Sequence, residues 1–402
     1  MPRVALVDWN WLGHVALFTR SIAKVFAAAG WQVEHFCRHG DLASQSFAEA
    51  QLPVQCHDLK SYGPAGHRRW PLQRRSTLAA RARWNALATA FTQQHAESFD
   101  FVFFPWIDEW LDRGLSPAVL PVTMPPRFGA LLLNAGHFSS PSPNLRRHRR
   151  QSGKFRLLAS PKLSLLSTLD ELAIDALGKR FSHATVAAMP DFIEAEARFA
   201  EPSEAMRQAQ HGGRPILLSV GLMQRRKGHL KLLELAKQNR LGAWQVVLSG
   251  RIVWDHFAPS EQDLLRTAIN GQLPGVMIQD GHLPTESHLN AEIQAADAIF
   301  LGYERWKQSS NIMTRAAQCS RPVISCPEGL LAHRTKTHRL GWVLENESPD
   351  AIEKMLKELT ADRLDHQSAN NDYAGFTQLH DISRLSETFA SVLTQPALAK
   401  AA

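Results

Sequence analysis

The chain has 402 residues, 44% of them hydrophobic and 21% charged, with a formal net charge of +7. That length is generous for one domain and comfortable for two, and the balance of residue types is ordinary for a soluble globular protein. No apolar run reaches the roughly 18–20 residues of a membrane-spanning helix, and Cys37, Cys56, Cys319 and Cys326 are too few and wrongly spaced for a disulfide framework or a Cys-rich metal centre.

The N-terminus, MPRVALVDWNWLGH, runs directly into a strand-like segment without a signal peptide's long apolar stretch and cleavage site. The expectation is therefore a reduced, cytoplasmic protein. VALVD (4–8) reads as a short strand, followed by a helix from Val15 that Gly30 is placed to end. A strand over 31–37, a helix over 41–50 and a strand over 53–58 follow. A long helix then runs from about Arg74 to His95, with Ala80, Trp84, Leu87 and Phe91 on one face. FDFVFFP (99–105), GALLLN (129–134), LSLLST (163–168) and ATVAAM (184–189) read as buried strands. The second half repeats the scheme, with strands at 215–220, 244–250, 275–281, 298–303, 322–325 and 341–345. Helices are expected over 229–237, 260–270, 285–296, 311–319, 350–360 and 376–394.

Strands alternating with helices imply parallel sheets with right-handed crossovers. Two such runs predict an α/β protein of two Rossmann-like domains facing across a cleft. The join falls near 196–214, a polar stretch whose Gly212-Gly213 can act as a hinge. The predicted domains are 1–200, joined by the C-terminal helix 376–394, and 201–375.

Charge is unevenly placed. Residues 1–200 hold 23 Lys+Arg against 16 Asp+Glu, whereas 201–402 hold 22 of each. The excess gathers in two acid-free windows. Residues 59–96 carry Lys60, Arg68, Arg69, Arg74, Arg75, Arg81 and Arg83. Residues 144–162 carry Arg146, Arg147, Arg149, Arg150, Lys154, Arg156 and Lys162. Such windows suit an anionic or membrane-associated partner, and equally a solvated face that keeps the protein soluble. They lack a nucleic-acid-binding motif or ordered aromatic interleaving, so no nucleic-acid partner is expected.

A third cluster of cations lies in GLMQRRKG (221–228), on the turn between a buried strand and a helix. Such a turn projects from the carboxyl edge of a parallel sheet, where α/β proteins place their ligands. Three adjacent cations there repel one another unless an anion is expected.

At this point the second half resembles the donor-binding domain of GT-B glycosyltransferases, particularly the large retaining class. The matching segments are ILLSVGLMQRRKGHLKLLELA, WQVVLSGR, VMIQDGHLPTESHLNAEIQAADAIFLGY and SSNIMTRAAQCSRPVIS, in the family's order. The resemblance covers roughly 215–360 well and the first half in outline. It implies a retaining, metal-independent transfer of a sugar from a nucleotide-diphosphate-sugar donor, with no resident cofactor and no metal. It implies that Lys227 presents a cation to the donor diphosphate, with Arg226 or Arg225 second in line; a fixed cation helps most where charge develops on the leaving group. The same resemblance places Gly221, Gly250, Arg251 and His282 on the donor edge. It sets the phosphates against Ser309, Ser310 and Asn311 at a helix start, where free amides and the helix dipole favour anions. The chain departs from the family at two positions that commonly hold glutamates, here Lys307 and Arg315, so the ribose is held differently or the donor site is lost. Glu304, three residues earlier, is an alternative sugar contact.

In the first half the resemblance implies an acceptor site. Gly13 and His14 lie after the first strand, and Trp11 with Trp9 can stack on a sugar ring or pack in the core. His137 is expected near the transferred sugar. Asp108 is expected to bind acceptor hydroxyls or accept a proton, which needs reach of about 3 Å. With a membrane-associated acceptor, the protein sits peripherally at the inner face of the membrane. The rival readings are an NDP-sugar epimerase and a catalytically silent relative that binds or scaffolds.

Overall fold

The computed structural model describes residues 1–11, 14–59, 72–139, 153–193, 200–360, 363–365 and 370–394. Gly13 and parts of both arginine windows, 60–71 and 144–152, lie outside the described residues. By contact the chain divides into two compact units, Met1–Pro190 with the segment from Ile382, and Asp191–Asp381.

In the first unit all seven strands are parallel. They are β1 (Arg3–Val7), β2 (Gln32–Cys37), β3 (Gln55–Asp58), β4 (Phe101–Phe104), β5 (Phe128–Leu132), β6 (Leu163–Thr168) and β7 (Thr185–Ala188), in the order β3-β2-β1-β4-β5-β6-β7. The central strands are buried on both faces, which is why they are continuous apolar runs rather than alternating ones. Aromatic rings fill one side: Phe389 packs edge-on against Phe26 at 5.1 Å and Phe103 at 4.9 Å.

The second unit repeats the plan with six parallel strands. These are β8 (Ile216–Val220), β9 (Gln245–Gly250), β10 (Val276–Asp280), β11 (Ala298–Leu301), β12 (Val323–Ser325) and β13 (Gly341–Val343), in the order β10-β9-β8-β11-β12-β13. Both sheets therefore reverse direction beside their first strand, between β1 and β4 and between β8 and β11. That is the ligand-binding position of doubly wound sheets. Helix Pro349–Glu358 of this unit starts at a proline and is capped by Ser348, whose Oγ accepts from Ala351 N at 3.2 Å. Ser348→Ala should cost about 1 kcal/mol, read as a lower urea midpoint at unchanged slope.

Three expectations need correction. The polar stretch 196–214 contains a helix, Glu204–His211, with Met206 and Ala209 buried. Ser203 caps it at Met206 N, and the Ser203 amide donates 2.5 Å to the buried Glu292 carboxylate. Gly212 is this helix's C-cap, so Gly212-Gly213 ends an element inside the second unit and is not a hinge between units. The contact boundary falls at Pro190/Asp191, ten residues before the expected one. The segment 376–394 is broken rather than one helix. Tyr373–Leu379 sends Phe376 into the second unit's core, while Leu385, Phe389 and Val392 are buried after a 3-10 turn at Ile382–Arg384. The break lies where the chain changes from one unit to the other. Helix Gly329–Thr337 is an additional element that the sequence reading did not place.

Candidate functional site

The turn after β8 and the loop after β11 meet at the second sheet's reversal point. Gly228, at φ +74°, lies so close to the second loop that a Cβ there would come 2.5 Å from the Gly302 carbonyl oxygen. This contact holds the cationic turn against Tyr303 and Trp306. Lys227 is 7% exposed; its ammonium donates 2.9 Å to the Val220 carbonyl and sits 5.5 Å from the Tyr303 ring centre. Burial, with Arg226 nearby as the smaller cause, pushes its pKa down to about 7. The same burial pushes Tyr303 up to about 12, so its hydroxyl stays a neutral group, 3.3 Å from Ser310 Oγ. Arg226 stacks 4.1 Å over Trp306 and donates 2.9 Å to Gln224. Arg225 turns to solvent, where it pairs with Glu261 at 2.8 Å.

Beside Lys227 opens a recess of about 380 Å³ along the carboxyl ends of β8, β9 and β10. Its floor is Gly221, Gly250 and Gly281, each at positive φ. A Cβ on Gly221 would lie 3.0 Å from Lys227 Nζ, which ties the recess to the cation. Leu222, Leu283, Pro284 and Leu289 supply apolar wall, and Arg251, His282, Thr285 and Glu286 its polar rim. A volume of this size lies within the range of small-molecule sites.

The structure thus brings together Gly221, Gly250, Arg251 and His282 around one recess, with Lys227 beneath its floor. Other expected donor residues are engaged elsewhere. Glu304 pairs with Lys231 at 3.2 Å. Ser309 donates to the buried Asp191 and accepts 2.5 Å from the buried Arg334, so its hydroxyl is committed to a charged cluster. Ser310 sits at the cap position of helix Asn311–Gln318 without a side-chain cap bond. Asn311 holds the Phe192 carbonyl at 3.2 Å and receives Arg315 Nε at 2.9 Å. Arg315, expected at the donor, is 2% exposed and reaches Asn290 at 2.9 Å and Glu286. Leu283, Pro284, Thr285 and Glu286 were not singled out from the sequence. Their signal was the start of a helix directly after a strand-ending glycine.

In the first unit, Trp11 is 6% exposed with rings of His35 at 4.9 Å and Phe47 at 5.2 Å against it. It is a core residue, which corrects its assignment as an acceptor platform: the rings of His35 and Phe47 cover the face that would stack on a sugar. Asp108 is buried, and its two oxygens accept the Leu133 and Asn134 amides at 2.8 and 3.1 Å. It clamps the turn after β5, and burial raises its pKa. His137 lies in the short helix Gly136–Ser139, stacked on Phe155 at 5.9 Å. His14 is the first residue of helix His14–Ala28. Among the described residues no helix is long and apolar enough to cross a membrane, and no His/Cys/Asp/Glu group is arranged to hold a metal.

No known family description matches the chain, and no curated protein is similar in sequence. Solved structures are similar in fold. HepE of Anabaena, solved with UDP and glucose, has a TM-score of 0.66 at 14% identity, over 98% of this chain and 100% of that one. A sucrose-phosphate synthase of Thermosynechococcus elongatus has 0.68 at 15% identity, over 98% and 99%. WaaG, a glycosyltransferase involved in lipopolysaccharide biosynthesis, has 0.63 at 16% identity, over 98% and 100%. Together with the two reversed parallel sheets, these likenesses show that the chain has the two-domain α/β fold of the GT-B glycosyltransferases.

Proposed function

We propose that the protein is a glycosyltransferase that takes its sugar from a nucleoside diphosphate bound on the second unit. The observation that carries this reading is the buried Lys227 ammonium under a glycine-floored recess at the sheet's reversal point. The glycines let a ligand approach backbone, the apolar wall suits a base, and the cation lies where a diphosphate would end. In the reaction, the bond from the anomeric carbon to the diphosphate oxygen breaks and its electron pair leaves with the nucleotide. The acceptor hydroxyl oxygen forms the new bond, and its proton passes to the departing phosphate. Lys227 stabilises the charge that develops on that leaving group, by several kcal/mol in a dry site. Retention at the anomeric carbon and transfer without a metal are part of this proposal, with Lys227 and Arg226 supplying the positive charge.

The two acid-free basic windows support an anionic or membrane-associated acceptor, met at the cytoplasmic face of a membrane. The test is a calorimetric and thermal-shift panel of UDP, GDP, ADP, dTDP and CMP, followed by the matching sugar nucleotide. One diphosphate should bind selectively, and its sugar nucleotide should release that diphosphate in the presence of acceptor extracts. Binding by none of them would overturn the donor site. Conversion of the sugar nucleotide to an epimer, with no diphosphate released, would make the protein an epimerase.

A further inference from the structure

We infer that Glu286, fixed by the buried Arg315, is the group that accepts the ribose hydroxyls of the bound nucleotide. This rests on the donor reading above. Glu286 is the first residue of helix Glu286–Ala295, capped by Thr285, and its side chain, 47% exposed, lines the recess. Its Oε2 pairs with Arg315 Nη2, and the half-exposed carboxylate stands at the edge of the recess.

The guanidinium that holds it is an unusual one. Arg315 is 2% exposed on helix Asn311–Gln318, with Nε on Asn311 Oδ1 and Nη1 on Asn290 Oδ1, both at 2.9 Å. A charge so deeply buried is tolerated only when it is paired and hydrogen-bonded. Two neutral amide oxygens orient it, and Glu286 supplies its negative charge. The planar fork therefore fixes one carboxylate oxygen and leaves the other at the rim.

A fixed carboxylate oxygen beside a recess is an acceptor for hydroxyl or ammonium donors. Gly221, which also lines the recess, has the Lys227 ammonium 3.0 Å from where its Cβ would lie, and that cation calls for an anion. A ligand with vicinal hydroxyls at one end and a diphosphate at the other satisfies both, and a ribonucleoside diphosphate has that form. Carboxylates at the carboxyl edge of a parallel sheet take ribose hydroxyls in other nucleotide sites by the same hydrogen-bond logic. Arg315 acts through Glu286 and is a positioning residue.

The test measures affinities of UDP against dUDP, with GDP/dGDP and ADP/dADP alongside, on wild type, Glu286→Gln, Glu286→Ala and Arg315→Gln. Wild type should prefer the ribonucleotide of the binding pair by about 10-fold, since the deoxy analogue forfeits a hydrogen bond to a charged acceptor. Glu286→Ala should bring the ratio to within about twofold by weakening the ribonucleotide alone, while the ratio of UDP to uridine stays unchanged. Arg315→Gln should lower the same ratio while deoxynucleotide affinity is preserved, a split that general loosening of the helix would not produce. A ribo/deoxy preference untouched by Glu286→Ala, with binding intact, would overturn the assignment and leave the donor reading standing. Failure of every nucleotide to bind wild type would overturn both.

Discussion

Lys227→Met should make the unliganded protein more stable at pH 7 and weaken nucleotide binding in the same step. The unfolded lysine titrates near its ordinary value of about 10.4, whereas burial holds the folded one at about 7. Below pH 7 both states are protonated and the folded state carries the full cost of a buried cation. Between about pH 7 and 10 the unfolded chain binds more protons than the folded one, so stability rises with pH, and above that range the cost is gone. Roughly three units at 1.36 kcal/mol each is about 4 kcal/mol. Methionine removes that penalty but leaves the Val220 carbonyl without its donor, which returns about 1–3 kcal/mol. The expected net gain is about 1–3 kcal/mol, seen as a higher Tm at pH 7 and a flatter stability profile from pH 7 to 9. A lower Tm at pH 7 would mean that Lys227 is not the strained cation described.

The binding consequence has the opposite sign. A diphosphate favours the charged lysine, so the wild-type protein should take up a proton on binding above pH 7. Its affinity should fall as pH rises from 7 to 9, while Lys227→Met should bind about 100-fold more weakly, as for a lost charge-assisted contact of roughly 3 kcal/mol. Calorimetry in two buffers of different ionisation enthalpy reads the proton directly. A pH-independent affinity with no proton uptake would remove Lys227 from the phosphate site. Stability given up for binding at one residue is the pattern expected of functional positions.

Gly250→Ala should cost about 3 kcal/mol or more and pull apart the floor of the recess. At φ +140° the backbone is one that L side chains rarely adopt, and a Cβ would lie 2.2 Å from the Gly221 carbonyl oxygen. Neither atom can swing aside, because the Gly221 amide is bonded to Ser249 O at 2.9 Å and the Gly250 carbonyl to Gly281 N at 3.3 Å. The turns after β8 and β9 would have to part, which separates the recess floor. Gly242→Ala is the control: its φ is +61°, but nothing lies within 4 Å of a Cβ there. It should cost about 1 kcal/mol and leave nucleotide affinity alone. Urea unfolding of the two variants, with nucleotide titration of each, compares strain alone with strain plus collision. Equal losses would show that the approach of the two turns is not what holds the recess.

Much of the architecture was legible in the chain itself. A strand buried on both faces must be apolar along its whole length, so ILLSV, WQVVLSG and LSLLST announced themselves to within a residue or two. Helix Glu204–His211 did not, because Met206 and Ala209 are its buried residues in an otherwise polar stretch, and its anchors, Ser203 and Glu292, are 89 positions apart. The break in 376–394 was also hidden. Its apolar spacing is helical throughout, and only the division between units shows that Phe376 and Phe389 serve different cores.

The candidate site divides along the same line. Local chemistry is written in order along the chain: a glycine where a strand must turn, cations where a turn faces a sheet edge, a small polar residue where a helix begins. From that the sequence alone determined the fold class and the grouping of Gly221, Gly250, Arg251 and His282 along one sheet edge. Tertiary structure decided which of the three cations is buried, since Arg225 finds Glu261, Arg226 finds Trp306, and only Lys227 lies beneath the recess. It decided that Trp11 faces the core, that Ser309 belongs to Asp191 and Arg334, and that Arg315 serves Glu286 from a neighbouring helix. Burial and pairing depend on which distant segments meet, and the energies that choose between a free cation and a paired one exist only once they do.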